Sequence, residues 1–292
     1  MFRESYSYCY VNFRFQKEEG LAPAVFVQSD CNPPSDRDTY IKELMKYIRI
    51  DAYGKCLNNK EMPQDINYEL DLWKTKYFHF LAKYKFQIAF ENAVCKDYIT
   101  EKVFRPLSIG SVPVYFGSST VRDFMPSDKA VIVVTDFKSP KDLAEYLHEL
   151  NNNDDKYNEY LKHRKDGKIS NVKFNIELKR RHNQGIMNKP RKGYPMTELL
   201  QGYSCFVCSQ LHLRNNMLRE HLNNPTHSLK PVKMGKSNHF DCPYPRTIFN
   251  NTDKSVRFDR FRKHIDEIKQ HSVLLQKLLL ENGTDSSKFP RI

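Results

Sequence analysis

The stretch "FQIAFENAVCKDYITEKVFRPLSIGSVPVYFG", residues 86–117, decides the fold. It opens on the apolar run "FQIAF" and closes on a second, "VPVYF". Between them a helix is predicted from about Thr100 to Ile109, stopped by Gly110, the residue that most readily takes the left-handed backbone at a helix end. Strand, helix and strand at this spacing form one βα repeat of a parallel sheet. Directly after the first strand come Glu91, Asn92, Asp97, Tyr98, Thr100, Glu101 and Lys102. Ligands of open parallel sheets bind beyond the carboxyl ends of the strands, near helix N-termini, so this polar cluster stands where a site is expected.

Outward from that unit the same alternation continues. "APAVFVQS" reads as a strand, and "SDRDTYIKELMKYI" as a helix with Ser35 as its predicted N-cap and Asp38 three residues later. The strand "RIDAY", the helix "YFHFLAKYK", the strand "AVIVV" and the helix "SPKDLAEYLHEL" complete the series to about Leu150. Near-continuously apolar strands alternating with helices imply a sheet covered on both faces. The expected fold is α/β: a Rossmann-like, doubly wound parallel sheet over residues 21–165, after an unmatched N-terminal segment, 1–20. The pattern then changes. Residues 166–200 read as a basic linker, "KRRHNQGIMNKPRKGYP" at its centre, and 201–292 as a Cys/His-rich extension ending in a helix. In that helix Phe258, Phe261, Ile265, Ile268, Leu275 and Leu279 form one stripe, expected to dock on the main domain.

With 292 residues, 39% of them hydrophobic, the chain can bury a substantial core. Lys and Arg exceed Asp and Glu by 47 to 35, a net charge of +12 that favours an anionic partner. No run reaches the ~18 apolar residues of a membrane span. "MFRESYSYCYVNFRFQKEEG" has no compact apolar core of a signal peptide, so no targeting signal is visible. There are seven cysteines; the six after Cys9, namely Cys31, Cys56, Cys95, Cys205, Cys208 and Cys242, are disulfide candidates in an oxidising compartment.

Neither Gly-x-Gly-x-x-Gly nor a Walker lysine is present, so the dinucleotide fingerprint and the P-loop do not apply. Two cations are placed for an anion instead: Arg37 opens the first helix, and Lys102 lies in the first turn after "FENAVCKDYI". A guanidinium binds two phosphate oxygens at once and an ammonium acts as a point charge. Together they can stabilise a departing nucleoside diphosphate, a task otherwise given to a metal ion.

"FENAVCKDYITEKVFRPLSIGSVPVYFG", preceded by "SDCNPPSDRDTYIKELMKYIRIDAYGKC", resembles the donor-binding domain of the alpha-1,3-fucosyltransferases, glycosyltransferase family ten. The nearest branch is that of alpha-1,3-fucosyltransferases ten and eleven, also described as protein O-fucosyltransferases. The resemblance is close over residues 21–165 and looser to "CFVC" and "HFDCPYP". It implies the donor half of a GT-B fold and an inverting transfer of fucose from GDP-fucose to a glycan or glycoprotein hydroxyl, with no metal and no cofactor. By the same resemblance Arg37 and Lys102 hold the diphosphate, Glu101 accepts from ribose hydroxyls, and Asn92 and Tyr98 line the diphosphate and fucose pocket. Glu91 either joins them or ties the loop to the sheet. The family's catalytic base belongs to an N-terminal acceptor domain that follows a membrane anchor and stem. Because this chain starts about twenty residues before the donor domain, the base and the anchor are expected to lie outside it. The implied location is the lumen of the Golgi or endoplasmic reticulum.

Two rivals arise from the residues. Cys205-x2-Cys208-x12-His221-x5-His227 has the ligand spacing of a zinc finger, which in a basic chain suggests a nucleic-acid-binding protein. The central aromatic position of such a finger holds His212, and Cys242 is left over; the family's Cys-x-x-Cys with a later cysteine favours disulfides and no nucleic acid. Asp36 and Asp38 of "DRD" form the Asp-x-Asp used by metal-dependent transferases, but acids at a first helical turn are favoured by the helix dipole anyway. Asn250 and Asn282 stand in N-glycosylation sequons, "NNT" and "NGT", consistent with a secretory route.

Overall fold

A computed structural model of the chain describes residues 19–67, 70, 74–183, 195–224, 242–243, 248–249 and 263–274. It divides into two compact units, residues 1–171 with 237–292 and residues 172–236. The first unit carries the sheet. Its elements run β1 (Ala24–Gln28), α1 (Arg37–Leu44), β2 (Ile50–Gly54), α2 (Thr75–Leu81), β3 (Phe86–Phe90), α3 (Glu101–Ile109), β4 (Val112–Phe116), β5 (Ile132–Val133), α4 (Pro140–Asn152), α5 (Asp154–Tyr160) and α6 (Lys162–Asp166). The strand order is β2-β1-β3-β4-β5 and every pairing is parallel. This is the doubly wound, Rossmann-like sheet expected from the alternation.

The strands are nearly continuously apolar because both faces are covered: β3 and β4 are buried at all five positions. Successive side chains point to opposite faces. Phe26, Phe86, Ile88, Phe90, Val112 and Val114 therefore meet α1 and α4 on one side, through Ile41, Leu44, Leu143 and Leu147. On the other side Val25 and Tyr53 pack on Tyr77, Phe78 and Leu81 of α2, while Ala89 and Tyr115 pack on Val103 and Leu107 of α3. The predicted stop of α3 is present: Gly110 caps it with φ 87°.

The order of the strands reverses at β1 and β3, since β2 lies on one side of β1 and β3, β4 and β5 follow on the other. β1 pairs with β2 over five residues but with β3 only at Ala24–Phe86 and Val25–Gln87. The two central strands thus part toward their carboxyl ends and open a crevice at the switch point.

Several expectations are corrected. "AVIVV" pairs only at Ile132–Val133 before a 3-10 turn, Val134–Asp136. The N-cap position of α1 is held by Asp36, in the left-handed region at φ 56°, and not by Ser35. Ser35 Oγ instead donates to the carbonyl of Glu91 at 2.7 Å, because tying the loops after β1 and β3 satisfies a buried acceptor. In the second unit, Val172–Asn183 (α7) and Pro195–Asn223 (α8) are helical. Cys205, Cys208 and His221 therefore lie on one continuous 29-residue helix, where a zinc finger needs its cysteine pair on a separate turn. Cys208 is exposed and free, so the expectation that it joins a disulfide fails. Among the described residues the disulfides are Cys31–Cys56 and Cys95–Cys242. The side chains of Cys205 and His227, and the sequons at Asn250 and Asn282, fall outside the described residues. Of the C-terminal stripe, within the helical stretch 263–274, Ile265 is half-buried and Ile268 is exposed. Phe258, Phe261, Leu275 and Leu279 lie outside the described residues. Among the described residues no helix is long and apolar enough to cross a membrane.

Candidate functional site

The cluster of the opening stretch sits at the crevice, on the loop between β3 and α3, opposite the loop that follows β1. Its organising residue is Glu91, which is fully buried. The backbone N–H of Glu91 donates to Phe116 O at 2.8 Å, extending the β3–β4 ladder by one bond. Its carboxylate then accepts from the backbone N–H and the hydroxyl of Thr100, both at 2.7 Å. Thr100 is the N-cap of α3, and its Oγ1 accepts from Lys102 N at 3.4 Å and Lys102 Nζ at 3.1 Å. Of the two roles open to Glu91, the geometry assigns the tie between loop and sheet.

That tie fixes Lys102. Its ammonium lies 3.4 Å from Glu91 Oε2 and 3.6 Å from Glu101 Oε1, with the side chain 23% exposed. Glu101 also faces Arg105, at 4.0 Å. The result is a partly exposed cation at the positive end of a helix, oriented by a buried carboxylate, an arrangement suited to an anionic ligand.

Arg37 is also at the crevice but is fully buried. Nη1 donates to Phe90 O at 2.7 Å and to Asn92 Oδ1 at 2.6 Å, and Nη2 donates to Asp30 O at 3.0 Å. Its Nε, 3.9 Å from Asp38 Oδ1, has no hydrogen-bond partner among the described residues, and neither has that oxygen. Burial pushes the Arg37 pKa down, opposed by the charges of Asp38, Asp30 and Glu91. The guanidinium thus clamps the ends of β1 and β3, and it reaches a ligand only where Asn92 or Asp30 yields its place. Asn92 closes that layer by donating Nδ2 to Asp30 Oδ2 at 2.8 Å.

Tyr98 faces the same charges. Burial raises its pKa first, and then the carboxylates of Glu91 and Glu101, so the phenol is a neutral donor at physiological pH. Its neighbour Asp97 has a left-handed backbone, φ 60°. That strain is held by Ser118: Asp97 N donates to Ser118 Oγ at 2.9 Å, and Thr120 Oγ1 donates to Asp97 Oδ1 at 2.6 Å.

The acids of "DRD" are occupied by the protein. Asp36 accepts from Thr39 Oγ1 at 2.7 Å and from Ile248 N at 3.0 Å, and Asp38 accepts from Asn32 N at 2.6 Å. Among the described residues no group of three or more metal-ligating side chains comes together. Arg37, Asn92, Tyr98, Glu101 and Lys102 are therefore gathered at one crest of the sheet, with Arg37 beneath the others. Sequence reading missed Asp30, Ser118 and Gly117. Gly117 had a local signal, closing the strand "VPVYFG": a Cβ there would stand 2.7 Å from Glu91 Cγ and 2.5 Å from the Tyr115 hydroxyl oxygen.

Residues 17–223 match the C-terminal model of glycosyltransferase family 10, the fucosyltransferases. The chain belongs to this family. All five crest residues lie within the matched segment. The family-10 chain is 39% identical over 266 residues to the GDP-fucose protein O-fucosyltransferase 3 of Xenopus laevis, covering 90% of this chain and 54% of that protein. To the protein of the same name in Homo sapiens it is 41% identical over 230 residues, covering 78% and 45%. It spans about half the length of the curated relatives it matches. Among solved structures, an alpha1,3-fucosyltransferase with GDP-fucose is similar at 28% identity and a TM-score of 0.39, over 47% of this chain and 37% of that one.

Proposed function

We propose that this chain binds GDP-fucose at the crest between β1 and β3 and serves a fucosyltransferase as its donor half. The observation that carries the reading is the Glu91–Thr100–Lys102 arrangement: a buried carboxylate holds Thr100, the N-cap of α3, and lies beside an ammonium at the helix N-terminus, inside the segment matched by the family. In this reading Lys102 neutralises the diphosphate as GDP departs, and Arg37 adds its charge from below once Asn92 or Asp30 gives way. Glu101 accepts from the ribose hydroxyls, while Asn92 and the neutral Tyr98 donate to the diphosphate and the sugar. These fixed cations do the work of a metal ion, and the transfer proceeds with inversion.

The names of the relatives favour a protein hydroxyl over a glycan as the acceptor. The two disulfides fit a secretory compartment, the Golgi or endoplasmic reticulum lumen. The test is calorimetry of the whole chain with GDP and GDP-fucose in EDTA. Binding retained under chelation supports the reading; no binding of either nucleotide, or binding only after a divalent metal is restored, overturns it.

A further inference from the structure

The loop between β3 and α3 that presents Tyr98 is fixed covalently at one point. Cys95 O accepts from Tyr98 N at 3.2 Å, closing a turn whose first residue is joined to Cys242 across a separation of 147 residues. No hydrogen bond from a described residue holds Ala93, Val94 or Lys96. On this side of the turn the ties to the rest of the fold are therefore the disulfide and the packing of Val94 on the core. Further along, the chain seats on the other wall of the crevice. Ile248 N donates to Asp36 Oδ2 at 3.0 Å, and the ring of Phe249 stacks on Tyr40 of α1, with centroids 5.6 Å apart and planes at 17°. The segment from Cys242 to Phe249 thus touches, at its two ends, both loops that carry the crest.

The backbone at these contacts needs holding. Among the described residues the non-glycine positions in the left-handed region are Asn32 at φ 59°, Asp36 at φ 56°, Leu57 at φ 54° and Asp97 at φ 60°. Asn32 and Leu57 directly follow the cysteines of Cys31–Cys56, Asp97 comes shortly after Cys95, and Asp36 is the acceptor of Ile248 N. Such a conformation persists only where its surroundings over-determine it. Each strained position lies beside one of these ties.

We infer that the segment from Cys242 to Phe249 is a positioning strap for the donor site: seated on α1 and locked to Cys95, it holds the Cys95–Tyr98 turn and with it the phenol of Tyr98. The inference rests on the donor-binding reading above. Lys102 stands outside its reach, because Glu91 and Thr100 anchor that helix end without Cys95.

The experiment is a double-mutant cycle read by calorimetry with GDP-fucose on the whole chain, folded under oxidising conditions. Cys95→Ser with Cys242→Ser cuts the lock. Ile248→Pro with Phe249→Ala keeps the disulfide but lifts the strap from α1, by removing the N–H that Asp36 accepts and the ring on Tyr40. Tyr98→Phe alone should weaken GDP-fucose roughly three- to tenfold, the scale of one neutral hydrogen bond. Each strap variant should weaken it by a similar factor, and by less than about twofold once Tyr98→Phe is present, because the contact at stake is the same one. Combined with Lys102→Ala, the strap variants should instead act independently, so that the factors multiply. A strap that serves stability alone lowers the melting temperature and leaves the Kd of the folded chain unchanged. The inference is overturned if either strap variant, folded by circular dichroism, binds GDP-fucose within about twofold of wild type, the scatter of independent sites. It is overturned equally if the strap effects multiply with Tyr98→Phe, or if Tyr98→Phe itself changes nothing. If the cysteine pair variant does not fold, Ile248→Pro with Phe249→Ala decides alone. A wild-type chain that binds no GDP-fucose overturns the donor-binding reading itself, an outcome distinct from the others.

Discussion

Replacing Lys102 by alanine tests the site most directly, because its ammonium is the one crest cation that the structure leaves partly exposed. In the free chain it is balanced by Glu91 at 3.4 Å and Glu101 at 3.6 Å, so its removal disturbs two carboxylates as well as the ligand. Glu91 keeps both of its bonds to Thr100 at 2.7 Å and stays satisfied, so the fold should survive. What is lost on the ligand side is one charge-assisted contact, ordinarily worth about 1.5–3 kcal/mol. That corresponds to roughly a 10- to 150-fold rise in the Kd for GDP, at about 1.4 kcal/mol per tenfold. The unbalanced Glu91 and Glu101 then repel the diphosphate, which pushes the effect toward the upper end. The assay is calorimetry at fixed ionic strength with GDP and, as a control, guanosine, which carries no phosphate and should bind both chains alike. A GDP affinity within twofold of wild type, with the melting temperature unchanged, would refute the assignment of the diphosphate to this helix end.

Three further outcomes are expected. Arg37→Ala leaves Phe90 O, Asp30 O and Asn92 Oδ1 without their buried donor, so it should lower stability by on the order of 3 kcal/mol, read as a shift of the urea midpoint, besides weakening GDP; an unchanged midpoint would mean that the guanidinium is not a clamp. His163 is held neutral by burial, with the charge of Arg164 also opposing protonation, and its pKa is lowered to about 4. Below the unfolded value of about 6.5 the unfolded chain takes up the proton first, so this residue's contribution is present above that pH and is lost as pH falls toward 4, by about 2 kcal/mol between pH 8 and pH 5. His163→Gln should flatten the pH dependence of the urea midpoint over that window, and a parallel curve would show that other groups govern it. Cys208, exposed and free, should be alkylated in the native chain, whereas Cys31, Cys56, Cys95 and Cys242 should resist until reduction. Peptide mapping that finds Cys208 protected would restore the disulfide expectation.

Period and punctuation alone determined the sheet. Five apolar runs separated by helical segments specify parallel strands buried on both faces, and Gly110 marks the end of α3 because few other residues take its backbone conformation cheaply. The position of the candidate site on the fold was legible for the same reason: polar residues packed at a strand's carboxyl end and a helix's first turn have few structural uses. Lys102, Glu101 and Thr100 could be placed because they are neighbours along the chain. Tertiary structure alone decided what depends on chain separation. Arg37 and Phe90 are 53 residues apart, and only the pairing of β1 with β3 shows that the guanidinium is spent on carbonyls beneath the crest. Glu91 could not be assigned until Thr100 curled back over it, nor Gly117 until Glu91 and the Tyr115 hydroxyl closed on its Cα. The Cys-x-x-Cys of residues 205–208 misled for the opposite reason. A spacing is shared by metal turns, disulfide loops and one turn of a helix, and only the backbone conformation, here helical, distinguishes them.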